Sequence, residues 1–214
     1  GLSNKKREKH ERNERRSFKP GELCQYLDHV GNMHDPEVKL IGLLMIYTGC
    51  RTSEAAGLQV KDLRANNNMP HVVFRTNPIR RMDKSELERA VPLLTPVIDA
   101  FRSYEISISG DEPLFPNYYG KRGHNNASAA LRKIVTNTMG ISDRSVVPYS
   151  ARHTLKDRSI AAGIDLGRAE YLMGHVSDGS SKIHREYGTK TPPEFLLEDM
   201  TKIFAVKEWG FYDD

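Results

Sequence analysis

The stretch DPEVKLIGLLMIYTGCRTSEAAG, residues 35–57, sets the architecture of this chain. Asp35 before Pro36 is an N-terminal capping signal, because the carboxylate can accept the first free backbone N–H groups and proline suits the first helical position. The apolar helix that follows runs to Thr48 and is closed by Gly49. Thr52–Gly57 continues as a short second helix, with Arg51 at its start. The apolar run Leu40 to Tyr47 is interrupted by Gly42 and is far too short to span a bilayer.

Working outward, the same punctuation divides the rest of the chain. Pro20 opens a helix through Val30. His71–Arg75 is a β-rich run and Glu88–Leu94 a returning strand, which together make a small antiparallel sheet. Thr95–Pro96 starts a helix to about Tyr104. Asn125–Thr138 is helical and stops at Gly140. Ser150–Ala162 stops at Gly163, and Asp165–Met173 makes a short helix. Thr191-Pro192-Pro193-Glu194 is a capping box that opens a C-terminal helix through Phe204. The fold class is mainly α with a small antiparallel β-sheet.

Composition adds broad limits. Lys plus Arg number 32 against 28 acidic residues among 214, a net charge of +4 that suits a polyanionic partner without demanding one. The 2 cysteines, Cys24 and Cys50, stand at no metal or redox spacing, so a reduced, cytoplasmic protein is expected. The opening residues do not read as a secretion signal. Residues 1–16 alternate Lys and Arg with Glu8, Glu11 and Glu14 and have no face to bury, which reads as a charged linker or arm before a domain spanning 17–214. A C-terminal helix and tail are expected from about residue 192.

Four short blocks carry chemistry. Arg51 follows a glycine break at a helix start, where a guanidinium can bind phosphate; the bland alternative is a surface pair with Glu54. Tyr149 and Arg152 are one helical turn apart and share a face. His175 follows Gly174 at a helix end, a place where histidines more often serve as structural hydrogen-bonders. Tyr187 stands in His184-Arg185-Glu186-Tyr187-Gly188, and with 9 tyrosines in the chain composition alone would not select it. Two arginines and an imidazole around one phosphate would hold it in line and spread the charge of its oxygens, which is what a tyrosine nucleophile requires.

In this order and spacing the blocks strongly resemble the catalytic domain of the tyrosine recombinases, the phage-type integrases. The family's Thr-Gly-x-Arg-x-Ser-Glu motif is matched in full by Thr48 to Glu54. Its Leu-Gly-His step appears as Met173-Gly174-His175, and its nucleophile falls at Tyr187. Phe18 to Leu23 resembles the usual opening of the domain. In the family's His-x-x-Arg-His-Thr motif, this chain has Tyr149 at the head, with Arg152, His153 and Thr154 following. His153 matches the motif's second histidine, a packing residue. A phenol donates a hydrogen bond but is a weaker proton shuttle near neutrality, so Tyr149 is expected to act as a positioning donor. The family's hairpin lysine, placed before the Arg89-Ala90-Val91-Pro92-Leu93 strand, is assigned to Lys84; Arg80 and Arg81 compete for that post and are expected beside it as DNA contacts.

The resemblance implies metal-free and cofactor-free cleavage and rejoining of double-stranded DNA through a 3′-phosphotyrosine, with the catalytic set Arg51, Lys84, Tyr149, Arg152, His175 and Tyr187. No metal-ligand spacing is found around His10, His29, His34 or His71. The expected assembly is a homotetramer on paired DNA sites, with no membrane role, encoded by a bacterium, phage or mobile element. The segment from Glu194 to Asp214 either packs on its own chain or docks on a neighbouring protomer. Two rival activities stay open, a type IB topoisomerase and a DNA-binding relative weakened by Tyr149.

Overall fold

The computed structural model describes residues 15–65, 68–80, 88–106, 110–175 and 193–206. Its organising element is the helix read first from the sequence. This helix, α2 (Pro36–Thr48), follows α1 (Pro20–Gly31) and precedes the short α3 (Thr52–Ala56). Asp35 Oδ1 accepts the N–H groups of Glu37 at 3.0 Å and Val38 at 3.1 Å. Gly49, in the left-handed region at φ 64°, closes the helix. Between these caps Leu40, Ile41, Leu44, Met45 and Tyr47 are all buried. A helix apolar on every side belongs at the centre, and α2 packs against α1, α3, α4 (Thr95–Arg102), α5 (Gly123–Lys133) and α6 (Ser150–Ala161).

The sheet has the order β1-β2-β3, all antiparallel, with β1 at Leu63–Arg64, β2 at His71–Phe74 and β3 at Arg89–Pro92. Val72 faces Leu63 on one side and Val91 on the other, while Phe74 faces Arg89. Val72 and Phe74 point into the core and alternate with half-exposed neighbours, as a one-sided sheet requires. The two-residue β1 was not expected, since a strand that short carries no readable alternation. β3 leans on α7 (Leu166–Met173) and on α8 (Glu194–Phe204).

The helix expected over Asn125–Thr138 departs from the sequence reading at both ends. α5 begins at Gly123, where a Cβ would stand 1.6 Å from the Tyr118 carbonyl oxygen, so only glycine fits that approach. The following Ile134–Thr138 is a π-helical turn, with the Met139 N–H reaching back to Ile134 O at 2.9 Å. The wider turn places the consecutive Ile134 and Val135 both in the core. Residues 15 and 16, expected in the linker, are bound to the domain: Arg15 Nη1 donates to Arg144 O at 2.8 Å, and the Arg16 guanidinium meets Glu22 at 2.7 Å and Asp143 at 2.8 Å. No helix among the described residues is long and apolar enough to cross a membrane.

The C-terminal helix packs on its own chain. Leu196, Met200, Ile203 and Phe204 are buried, the Phe204 ring stacks on Tyr47 at 4.7 Å, and the Arg158 guanidinium lies 4.3 Å from its centroid. Arg168 Nε donates to Asp199 at 2.6 Å. The expected cap at Thr191 and the apolar Trp209 and Phe211 lie outside the described residues. Removing the Phe204 ring should therefore cost about 3–5 kcal/mol. In urea unfolding, the Phe204→Ala midpoint should fall by that equivalent and stay independent of protein concentration; a concentration-dependent midpoint would place this helix on a neighbour instead.

Candidate active site

The site begins at the turn between α2 and α3. Gly49 takes a positive φ, and a Cβ there would meet Leu155 at 2.7 Å and Met173 at 3.0 Å, so both conformation and space require glycine. The turn delivers Arg51 as the residue before α3. Its N–H donates to Glu54 Oε2 at 2.7 Å. Contrary to a surface pair, Glu54 is only 1% exposed.

Glu54 is the hub of a buried ion network. Oε1 accepts Arg89 Nη1 at 2.8 Å and Arg80 Nη2 at 3.0 Å, and Oε2 accepts Arg89 Nη2 at 3.3 Å. Burial alone would raise the Glu54 pKa; Arg89 and Arg80 overcome it and bring it down to about 2. Arg89, itself 2% exposed, then donates Nε to Leu172 O at 2.9 Å and lies over the Phe74 ring at 4.5 Å. A Cβ on Gly174 would stand 2.2 Å from Arg89 Nη1, and Gly174 also has φ +70°. The glycine before His175 thus gives the guanidinium room and ends α7.

Arg152 joins these two turns. It stands on α6, 6% exposed, and Nη1 donates to Gly49 O at 2.7 Å and Met173 O at 2.6 Å. Its Nη2 has no hydrogen-bond partner among the described residues. Beside it opens a cleft of about 150 Å³ lined by Tyr149, Arg152, His153, Lys156, Glu170, Met173 and His175. Burial lowers the Arg152 pKa, and the charges of Arg51 and Arg89 push the same way. Guanidinium groups start so high that Arg152 stays charged near neutrality.

His175 leaves the end of α7 with its backbone N–H on Glu170 O at 2.8 Å. Burial, then the positive charges of Arg152 and Arg51, hold its imidazole below the ordinary 6.5, so it is neutral near pH 7. It can accept a proton or donate one hydrogen bond. Tyr149 meets His153 edge to face at 5.2 Å. His153, expected only to pack, also lines the cleft.

Four of the expected site residues therefore fall in one region: Tyr149, Arg152 and His175 line the cleft, and Arg51 is near enough for its charge to act on two of them. Lys84, Arg81 and Tyr187 lie outside the described residues. Arg80, expected as a DNA contact, is turned inward to Glu54 and is 7% exposed. The sequence reading missed the hub itself, Glu54 with Arg89, and also Lys156, whose position one turn beyond Arg152 was the available signal.

With that geometry in hand, comparisons with known proteins agree on a family. A model of the phage integrase family matches residues 18–187. The chain is 28% identical to tyrosine recombinase XerD of Bifidobacterium longum over 83% of its own length and 58% of that protein. It is 29% identical to tyrosine recombinase XerC of Herpetosiphon aurantiacus over 64% of its length and 44% of that protein. The chain thus spans about half the length of these curated relatives. Among solved structures, XerA recombinase aligns with TM-score 0.58 at 20% identity, covering 86% of this chain and 64% of that one. XerH recombinase, in a pre-cleavage complex with its difH substrate, aligns with TM-score 0.56 at 17% identity, covering 83% and 53%.

The Glu54 network yields a prediction with a definite sign. A carboxylate held at about 2 rather than 4.5 contributes stability that is present above 4.5 and lost as pH falls toward 2. Glu54→Gln leaves two arginines buried without their anion and should cost about 3–5 kcal/mol. Urea titrations from pH 7 to 2 should show that loss at neutrality and a flatter acid limb below pH 4.5 than in the unaltered chain. An unchanged neutral stability would remove the hub from the account.

Proposed function

The chain belongs to the phage integrase family, and from that premise we propose that it is the catalytic part of a tyrosine site-specific DNA recombinase. The observation that carries this reading is Arg152: its guanidinium is buried and oriented by two carbonyl oxygens, with Nη2 left for a ligand at a cleft shared with His175 and Tyr149. A buried cation with a spare donor suits one oxygen of a phosphodiester.

In the proposed mechanism, Arg51 and Arg152 hold the non-bridging oxygens of the scissile phosphate. Tyr149 donates a hydrogen bond to the same group. The Tyr187 oxygen attacks phosphorus, its proton passes to neutral His175, and the bond from phosphorus to the 5′ oxygen breaks. Lys84 protonates the departing 5′ oxygen. The phosphoester is conserved in the 3′-phosphotyrosyl link, so attack by a partner strand's 5′ hydroxyl rejoins DNA without nucleotide hydrolysis.

Duplex DNA is the proposed substrate, and recombination would engage four protomers on two duplexes. The charged segment before Arg15 is proposed as the linker from a further DNA-clamping domain. Lys84 and Arg81 are carried as proposed hairpin contacts, whereas Arg80 is better read as a positioning residue for Glu54. Tyr149 in place of histidine favours one second reading, a relative that binds DNA without cutting it.

Covalent trapping separates the two. With a library of nicked duplexes and chelator present, the chain should form a denaturation-resistant adduct that is lost in Tyr187→Phe and kept in Tyr119→Phe, while Tyr187→Phe retains duplex affinity. Tight binding with no adduct would establish the second reading. Arg152→Ala should slow adduct formation by about 10²–10³-fold. Because His175 is held below 6.5, the cleavage rate should hold down to that pH and fall only at more acid values. His175→Gln should be slower and lack that acid limb; a rate already falling between pH 8 and 6.5 would contradict a neutral acceptor there.

A further inference from the structure

One cation on the cleft has no part in the mechanism above. Lys156 follows Arg152 by one turn of α6 and Tyr149 by two, so all three project along one helix face. It lines the same cleft as Arg152 and His175, and it is exposed at the rim. Glu170 is, among the described residues, the one acidic side chain lining that cleft. Among the described residues the Lys156 ammonium makes no hydrogen bond or ion pair, with Glu170 or with any other group, although its neighbour Asp157 is bound to Ser17. Its charge nonetheless acts on both His153 and His175.

An ammonium beside buried Arg152 raises the repulsion within the cleft unless an anion is present. An ion pair with Glu170 would relieve that repulsion, and the side chain does not form one. The arrangement makes sense when an anion enters. At the head of this helix Tyr149 can offer only a neutral hydrogen bond, so the turn that carries Arg152 has one formal charge until Lys156 is counted. A lysine suits the rim, because its flexible stem and compact charge can follow a phosphate without a fixed fork geometry.

We propose that Lys156 is a catalytic phosphate contact, its ammonium donating to a non-bridging oxygen of the phosphodiester held by Arg152. It supplies the positive charge that the phenol of Tyr149 cannot. This rests on reading the cleft as the scissile-phosphate site.

The test uses the chain and the nicked duplex recovered by covalent trapping. Lys156→Gln should reduce the rate of adduct formation by about 10- to 100-fold, the worth of one charge-assisted hydrogen bond. Lys156→Arg should restore most of the rate. The salt dependence of duplex binding should shallow by about one counterion in Lys156→Gln, a change that a merely structural role would not cause. Replacing the scissile phosphate by a neutral methylphosphonate should erase the difference between Lys156→Gln and the unaltered chain, and the same replacement at a flanking phosphate should leave it. The reverse pattern would overturn the assignment to the scissile phosphate. An adduct-forming chain in which Lys156→Gln changes neither rate nor salt slope would sink this inference alone. Absence of any adduct from the unaltered chain would sink the functional reading beneath it.

Discussion

A single buried carboxylate holds the site's parts in register. Glu54 binds the backbone N–H of Arg51 and the guanidinium groups of Arg89 and Arg80, so one side chain fixes the turn after α2, strand β3 and the segment that follows β2. Arg89 extends the connection to the end of α7 through Leu172 O. Burying these ions is costly, and the attraction between them mainly offsets desolvation rather than adding stability. What the network adds is position. Hydrophobic residues of equal volume could fill the same space, but they would not orient Arg51 relative to the turn that carries His175.

Arg152 meets the desolvation problem without a carboxylate. Its Nη1 lies between Gly49 O and Met173 O, at the C-terminal ends of α2 and α7. Helix geometry leaves the last carbonyls of each helix without intrahelical partners, and the helix dipole makes those ends partially negative. Two such ends converge on one guanidinium. Both helices are closed by a left-handed glycine, Gly49 and Gly174, so the two glycine motifs of the sequence serve one purpose. They bring α2 and α7 to a stop where their free carbonyls can hold Arg152.

Those motifs were legible because they are local. Asp35 before Pro36, Gly49, Gly163, Asp165 and Gly174 announce their roles within a few residues, and the helices fell where those signals placed them. The inward turn of Arg80 was not legible. A pairing between Glu54 and Arg89 spans 35 residues, and a charged residue in a strand reads as solvent-facing until its partner is known. The π turn at Ile134 escaped because a wider turn leaves the same composition as an α-helical one. Lys84 and Tyr187 were selected by resemblance rather than by physics, since nothing in composition separates Tyr187 from the other tyrosines.

Positive charge predominates among the described side chains around the cleft. Burial lowers both His175 and Arg152; Arg152, Arg51 and Lys156 add to the effect on His175, and Arg51 and Arg89 add to that on Arg152. Neutral His175 is one way the protein reduces this repulsion. Glu170 acts in the opposite sense but is a single carboxylate. An anion beside Arg152 Nη2 would offset the repulsion among these cations. The offset is larger for a phosphate gaining charge in a pentavalent transition state than for the same phosphate at rest. If the cleft holds the scissile phosphate as proposed, fixed positive charge held by Glu54 and by two helix ends would suit the transition state better than the resting diester.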